Sequence, residues 1–461
     1  MEATFVVVGG GIAGVSCAET LAFLEPEKTI ILISESSLIK TVTNLHAITR
    51  TLTDFDINET DSSYLTNKYL NITVVHDKLT EINDTDHFIV TSSGQIKYEF
   101  LCLCMGAEPK LIPQASSFSQ IIGIRDTDSV ETFVQKLKTA KTIVVVGNGG
   151  IASEVVFKIR NVDVHWVVRD KHISATFVDP GAAEFFQSAL NHGKSGEEPV
   201  YKRMRYSEDS FTKSGAALGP DWYNNLSITG GKGASSTDVK IHYEAEVTNV
   251  EALENCDFPI KVALTSGLKI PCDLVVSATG VLPRRNFATL HEFARSEDGG
   301  LQVNEFMQTS LKDIYAAGDI CAAGWPPAKH WFQMKLWTQA RQMGCYAAKC
   351  MSAHSNNESL LQDFCFEMFA HSTKLFGYKV ILLGLYNGQK LGRNYEILLR
   401  MTKEKEYIKF VLEDNKLQGA VLIGDTDLEE MCENLILNQL DLAPYGDDIL
   451  NPNIDIEDYF D

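Results

Sequence analysis

Phe5-Val6-Val7-Val8-Gly9-Gly10-Gly11-Ile12-Ala13-Gly14 stands at the start of the chain. The four apolar residues predict a short buried strand, and Val15 to Phe23 reads as a helix rich in Ala, Leu and Glu. Between them lies G-x-G-x-x-G, in the strand–turn–helix context that a dinucleotide-binding turn requires. Gly9 permits the tight turn, Gly11 lets a pyrophosphate approach the backbone, and Gly14 lets the helix pack on the strand. The first helical residues, Ile12 and Ala13, present free amides and the positive end of the helix dipole to the phosphates. A second strand, Thr29 to Ile33, follows at the expected distance. Its end should carry an acid for a ribose diol. Ser34 holds that place and Glu35 comes one later, so the ribose contact stays open between the two.

The pattern recurs in mid-chain. Thr142 to Val146 is a second apolar strand, leading into Gly147-Asn148-Gly149-Gly150-Ile151-Ala152-Ser153-Glu154. This is G-x-G-x-x-A, with Gly147, Gly149 and Ala152 at the signature places. The next strand, Val164 to Val168, ends in Arg169 where an acid would favour NAD; a cation there favours the extra phosphate of NADP. Arg169 therefore inclines the reading to NADPH over NADH, unless it is only a solvated loop cation.

Composition bounds the rest. The 461 residues are 44% hydrophobic and 22% charged, the profile of a well-cored globular chain of about three domains. A formal charge of -20 argues against direct nucleic-acid binding and against anionic membranes. That charge is uneven: from Leu417 to Asp461 there are 12 Asp/Glu and no Lys or Arg, leaving 41 − 49 = -8 for the first 416 residues. No apolar run reaches the ~20 residues of a membrane span, and no basic leader precedes Phe5. Ten cysteines in no C-x-x-C spacing suggest neither a zinc ribbon nor a thioredoxin centre, and no metal is expected. Cys102 and Cys104 alternate along a strand and should face the same side.

Three further stretches complete the pattern. Phe100-Leu101-Cys102-Leu103-Cys104-Met105-Gly106-Ala107 reads as a strand and turn closing the first half, and Asp273-Leu274-Val275-Val276-Ser277-Ala278-Thr279-Gly280 as its counterpart in the second. Thr309 to Asp319 ends a strand in Gly318-Asp319. Together these resemble the pyridine nucleotide-disulphide oxidoreductase family over residues 1 to about 350. Gly419 to Glu430 resembles the C-terminal domain of its nitrite-reductase-like branch, and the tail Asn451 to Asp461 resembles that of a eukaryotic branch of the family.

The resemblance implies an α/β fold: two dinucleotide-binding, Rossmann-like domains of the FAD/NAD(P) disulphide-reductase type plus a C-terminal α+β domain. An FAD domain would comprise 1–115 and 284–355, with a NAD(P)H domain at 116–283 inserted between them. A C-terminal domain would occupy 356–461, with strands at Cys365–Ala370, Lys379–Gly384, Tyr395–Arg400 and Tyr407–Leu412 and a helix near Asp427–Leu440. Within the inserted domain, 191–238 reads as a long Gly-, Ser- and Lys-rich insertion, either a tolerated surface loop or a basic docking patch. The acidic tail, 445–461, is a candidate recognition segment.

The resemblance also implies FAD and NADPH or NADH as cofactors. Asp319 would accept hydrogen bonds from the flavin ribityl and phosphate region. Leu336 to Gly344 resembles the helix whose N-terminus points at the flavin, with Trp331 and Trp337 as flavin wall or simply as core. Lys40 occupies the place of a lysine that pairs, in glutathione-reductase-like members, with the glutamate matched by Glu154; this would set a cation beside the flavin. The expected redox cysteines are missing: Ser37 to Asn44 contains none, and no histidine follows His371. The expected function is an FAD-dependent NAD(P)H oxidoreductase without its own redox disulphide, passing electrons to oxygen or another acceptor. The alternatives are a quinone reductase and a redox-state-sensing binding protein with slow turnover. The resemblance further implies a cytoplasmic and nuclear location and a protective, antioxidant role toward the tRNA-splicing ligase complex.

Overall fold

The computed structural model describes residues 1–192, 228–231, 238–254, 256–392 and 394–451. Most of the 191–238 insertion, and residues 452–461 of the acidic tail, lie outside the described residues. The chain forms two compact units. Met1–Glu108 and Leu282–Phe369 make the first. The described residues from Pro109 to Val281, with those from Ala370 onward, make the second.

In the first unit, Glu2–Val8 lies inside an eight-stranded sheet. It pairs in parallel with Ile30–Ser34 on one side and Gly94–Leu103 on the other. Ile72–His76 extends the sheet beyond Ile30–Ser34, and Ile314–Ala316 returns from late in the chain to pair with Gly94–Leu103. Phe5, Val6 and Val7 are wholly buried, so both faces of the strand are covered and the apolar run is continuous rather than alternating. The helix Ile12–Leu24 packs against the long helix Trp337–Ser355. Leu38–Ala47 and Thr53–Asp61 form a separate antiparallel hairpin.

In the second unit, five parallel strands run in the order Ile121–Ile122, Leu274–Ser277, Thr142–Val146, Asp163–Val167, Val239–His242. An antiparallel sheet of Val247–Ala252, Ile260–Leu264 and Lys269–Cys272 follows. The same unit holds the C-terminal sheet, five antiparallel strands in the order Ala370–Leu375, Tyr378–Gly384, Lys416–Ile423, Glu406–Glu413, Glu396–Thr402, backed by the helix Glu429–Asn438. The expected strand at Cys365–Ala370 is absent. Asp363 accepts a hydrogen bond from the Cys365 amide at 3.1 Å and turns the chain into a short 3-10 helix, Phe364–Phe366; the strand begins only at Ala370. Among the described residues no helix is long and apolar enough to cross a membrane.

Candidate functional site

The first glycine turn is set by close approach. Gly9 has φ +128°, and a Cβ there would lie 2.2 Å from the Cys104 carbonyl oxygen. At Gly14 a Cβ would lie 1.9 Å from the Gly9 carbonyl oxygen. Gly11 is the opposite case: it caps the helix with no side-chain hydrogen bond, and nothing lies within 4 Å of a Cβ built there. The backbone is thus exposed toward open space where the first-turn amides of Ile12, Ala13 and Gly14 have no intrahelical acceptor.

The long helix closes this turn from the other side. A Cβ on Gly344 would lie 2.2 Å from the Ala13 carbonyl oxygen, and one on Gly318, at φ +78°, would lie 2.9 Å from the Ala13 Cβ. Two helices can therefore touch at Ala13, which brings Gly318-Asp319 to the glycine turn. Trp337 opens the long helix and is half-buried, and that helix start has no side-chain cap. Trp331 belongs to the core: it is buried, stacked on Trp325 at 5.6 Å, with Phe366 edge-on at 5.4 Å.

Asp319 accepts no hydrogen bond from any described residue, and burial pushes its carboxyl up to about 6 against the opposing pull of Lys335. A half-buried carboxylate without protein donors is costly unless a ligand supplies them. The polyhydroxyl chain of a flavin carries such donors. The open Gly11 amide turn and the donor-poor Asp319 therefore fit FAD.

Ser34 is wholly buried under Gly10 and donates to the Ser36 carbonyl at 2.7 Å. Glu35 is exposed and pairs with Arg284 and with Lys78. Burial opposes its ionisation, but the two cations hold its carboxyl below the usual range. Lys40 is tied to the turn through its amide, which donates to the Gly10 carbonyl at 2.9 Å. Its ammonium lies 3.0 Å from Glu59, with both side chains almost fully buried. Glu59 was not foreseen; the signal was the hairpin register, which sets Lys40 directly opposite Glu59. Glu154 lies half-buried on the helix Gly150–Lys158 in the other unit.

The second turn repeats the first. Gly147 has φ +132°, and a Cβ there would lie 2.0 Å from the Ala278 carbonyl oxygen, while Gly149 faces open space and caps its helix without a side chain. Ala152 is wholly buried, and the Trp166 indole donates to the Gly147 carbonyl at 2.7 Å. Gly280, φ +109°, ends the return strand and its carbonyl accepts from Lys110 at 2.9 Å. This exposed backbone fits the pyrophosphate of a nicotinamide dinucleotide. Arg169 is exposed beyond the second strand. The next residue, Asp170, passed over in the sequence, is held near the turn by Asn148 at 2.8 Å.

All ten cysteines are free thiols. Cys102 and Cys104 do face the same side, with sulphurs 3.6 Å apart in the core. The Cys102 contact and burial push the Cys104 thiol well above its ordinary value. A thiol so held is not a thiolate and not a nucleophile. Among the described residues no three His, Cys, Asp or Glu side chains are placed to hold a metal.

The pyridine nucleotide-disulphide oxidoreductase family model matches residues 3–194 and 232–344. This chain belongs to the pyridine nucleotide-disulphide oxidoreductase family. Both glycine turns fall within the first matched segment, and the chain is an NAD(P)H flavoprotein of that type. A second match, to the rubredoxin NAD+ reductase C-terminal domain, covers 370–440. The chain is 53% identical to pyridine nucleotide-disulfide oxidoreductase domain-containing protein 1 of Drosophila melanogaster, over 99% of both chains. It is 48% identical to the protein of the same name from Homo sapiens, over 99% of this chain and 98% of that one. Among solved structures, an NAD-dependent persulfide reductase from A. fulgidus superposes with TM-score 0.68 at 15% identity, covering 95% of this chain and 77% of that one. Putidaredoxin reductase in covalent complex with putidaredoxin gives 0.65 at 18% identity, covering 95% and 94%. These two similarities concern the fold.

Proposed function

We propose that this protein is an FAD-dependent NAD(P)H oxidoreductase that works without a redox disulphide of its own. The observation that supports it best is the pair of open glycine turns, Gly9–Gly14 and Gly147–Ala152, combined with ten free thiols of which those beside the first turn are buried and protonated. FAD, when bound, supplies a two-electron acceptor for nicotinamide hydride, a chemistry that needs no protein thiol. The chain's part is to bind and orient. The amides from Ile12 onward and the carboxylate of Asp319 hold the flavin dinucleotide. The dipole of the helix starting at Trp337 favours negative charge at its N-terminus. Lys40, whose amide donates to the Gly10 carbonyl of the first turn, carries a buried ammonium paired with Glu59, a cation that would act on electron-rich groups beside the turn.

Electrons then pass to oxygen or to another acceptor. From the sequence resemblance we further propose a protective role in cytoplasm and nucleus, beside the tRNA-splicing ligase complex, with the acidic C-terminal end as the recognition segment. Among its described residues, Ile449 and Leu450 are buried, and Arg400 donates to the Leu450 carbonyl at 2.9 Å. Anaerobic reduction of the purified protein with NADH or NADPH, followed by thiol titration in denaturant, tests the reading. The flavin band should bleach while the thiol count stays constant. A rise in titratable thiols on reduction would reinstate a disulphide relay and overturn it.

A further inference from the structure

The segment from Asp170 to Asp179 joins the strand Asp163–Val167 to the helix Pro180–His192, and it is held from two sides. One side is the second glycine turn. Asn148, between Gly147 and Gly149, donates through Nδ2 to Asp170 at 2.8 Å and to the His172 carbonyl at 2.9 Å. Its Oδ1 accepts from the Ser174 amide at 2.6 Å. Ser174 sits at φ +54°, a left-handed conformation that a side-chain-bearing residue adopts only when held there. Its hydroxyl meets that of Ser153, on the helix that follows the turn, at 2.8 Å.

The other side is the C-terminal sheet. Tyr386 donates to the Thr176 carbonyl at 3.3 Å, and Asn387 donates to the Phe177 carbonyl at 3.4 Å. Tyr407 donates to Asp179 at 2.9 Å. Lys409, only 2% exposed, donates to Asp179 and, at 2.7 Å, to Asn387. Asp179 in turn caps the next helix, accepting from the Gly181 and Ala182 amides. Burial works against its charge, yet Lys409 holds its carboxyl below the usual range.

We infer that the C-terminal sheet is a positioning element of the dinucleotide site: Lys409 and Asn387 fix the strap Asp170–Asp179, and the strap fixes Asn148 inside the glycine turn. The inference rests on the reading of Gly147–Ala152 as the nicotinamide-dinucleotide turn. Its physical basis is preorganisation. A turn whose central side chain makes three bonds to a braced strap is already in its binding geometry, whereas a released strap must be ordered on binding. It assigns to the third portion of the chain, which carries neither turn, a share in dinucleotide affinity.

Calorimetric titration of the purified holoprotein with NAD+ and NADP+ tests this, because the oxidised forms bind without turnover. Lys409→Met and the milder Asn387→Ala should each weaken binding about tenfold, a change of about 1.4 kcal/mol, while bound flavin per chain stays at the wild-type level. Lys379→Met is the control. Lys379 lies in the same sheet; the substitution breaks its 2.8 Å pair with Glu429 of the backing helix but touches nothing in the strap, and it should bind as wild type does. Wild-type affinity in Asn387→Ala and Lys409→Met would overturn the inference alone, as would an equal loss in Lys379→Met. No binding by the wild-type protein would overturn the nicotinamide reading of the turn and the inference with it.

Discussion

Lys40 and Glu59 face each other across an antiparallel hairpin, ammonium to carboxylate at 3.0 Å, with both side chains almost fully excluded from solvent. Removing one partner of such a pair leaves an uncompensated buried charge, at a cost of about 3 kcal/mol. Glu59→Gln should therefore lower the thermal midpoint measurably. Lys40→Met strands the Glu59 carboxylate instead and should carry a similar stability cost. It should also slow flavin reduction by NAD(P)H about tenfold, or about 1.4 kcal/mol of barrier. An unchanged stopped-flow rate in Lys40→Met would remove Lys40 from the site.

The glycines separate fold from ligand. Gly344→Ala would drive a methyl to 2.2 Å from the Ala13 carbonyl, where backbone meets backbone, so the two helices must part. A loss of about 1–3 kcal/mol or more is expected, seen as a lower melting temperature with and without flavin. Gly11→Ala places its methyl in open space. It should leave the melting temperature of the flavin-free protein unchanged while the flavin content of the purified protein falls.

Asp319 carries a pH signature. Its carboxyl is pushed up to about 6 by burial, against an unfolded value of about 3.9. Between those values the folded flavin-free protein holds an extra proton, so its stability falls as pH rises through that window and stays lower above it. Asp319→Asn removes the penalty. The flavin-free variant should gain roughly 2 kcal/mol over wild type at pH 7, allowing for partial solvent access, and nothing below pH 4. The same variant should retain less FAD. Parallel unfolding curves across pH for the two proteins would contradict the assignment.

Arg169 and Asp170 pull nicotinamide choice in opposite directions. The guanidinium favours an extra phosphate and the carboxylate disfavours it. Arg169→Ala should lower the NADPH-to-NADH ratio of kcat/KM, and Asp170→Ala should raise it. The second effect is expected to include a general loss, since Asp170 also accepts from Asn148.

Both turns were legible because their determinants are local. A strand, three small residues and a helix start leave little else for Gly9–Gly14 or Gly147–Ala152 to be. The Cys102–Cys104 contact was legible for the same reason, from the period of a strand. Glu59 was legible only through a register that the sequence does not display until the hairpin is recognised. Asp170 was obscured by the cations beside it, Arg169 and Lys171. The expected strand at Cys365–Ala370 failed because Asp363, accepting from the Cys365 amide, starts a 3-10 turn where the apolar run would otherwise extend. The strap was not legible at all: Asn148 and Lys409 are 261 positions apart, and only the folded second unit joins them through Asp179 and Asn387.

The most direct measurement is the visible spectrum of the purified protein, titrated anaerobically with NADH and with NADPH. The two-banded absorbance of bound oxidised flavin is expected, with its stoichiometric loss on adding one or both dinucleotides. A colourless protein, or a flavin band that neither dinucleotide changes, would contradict it.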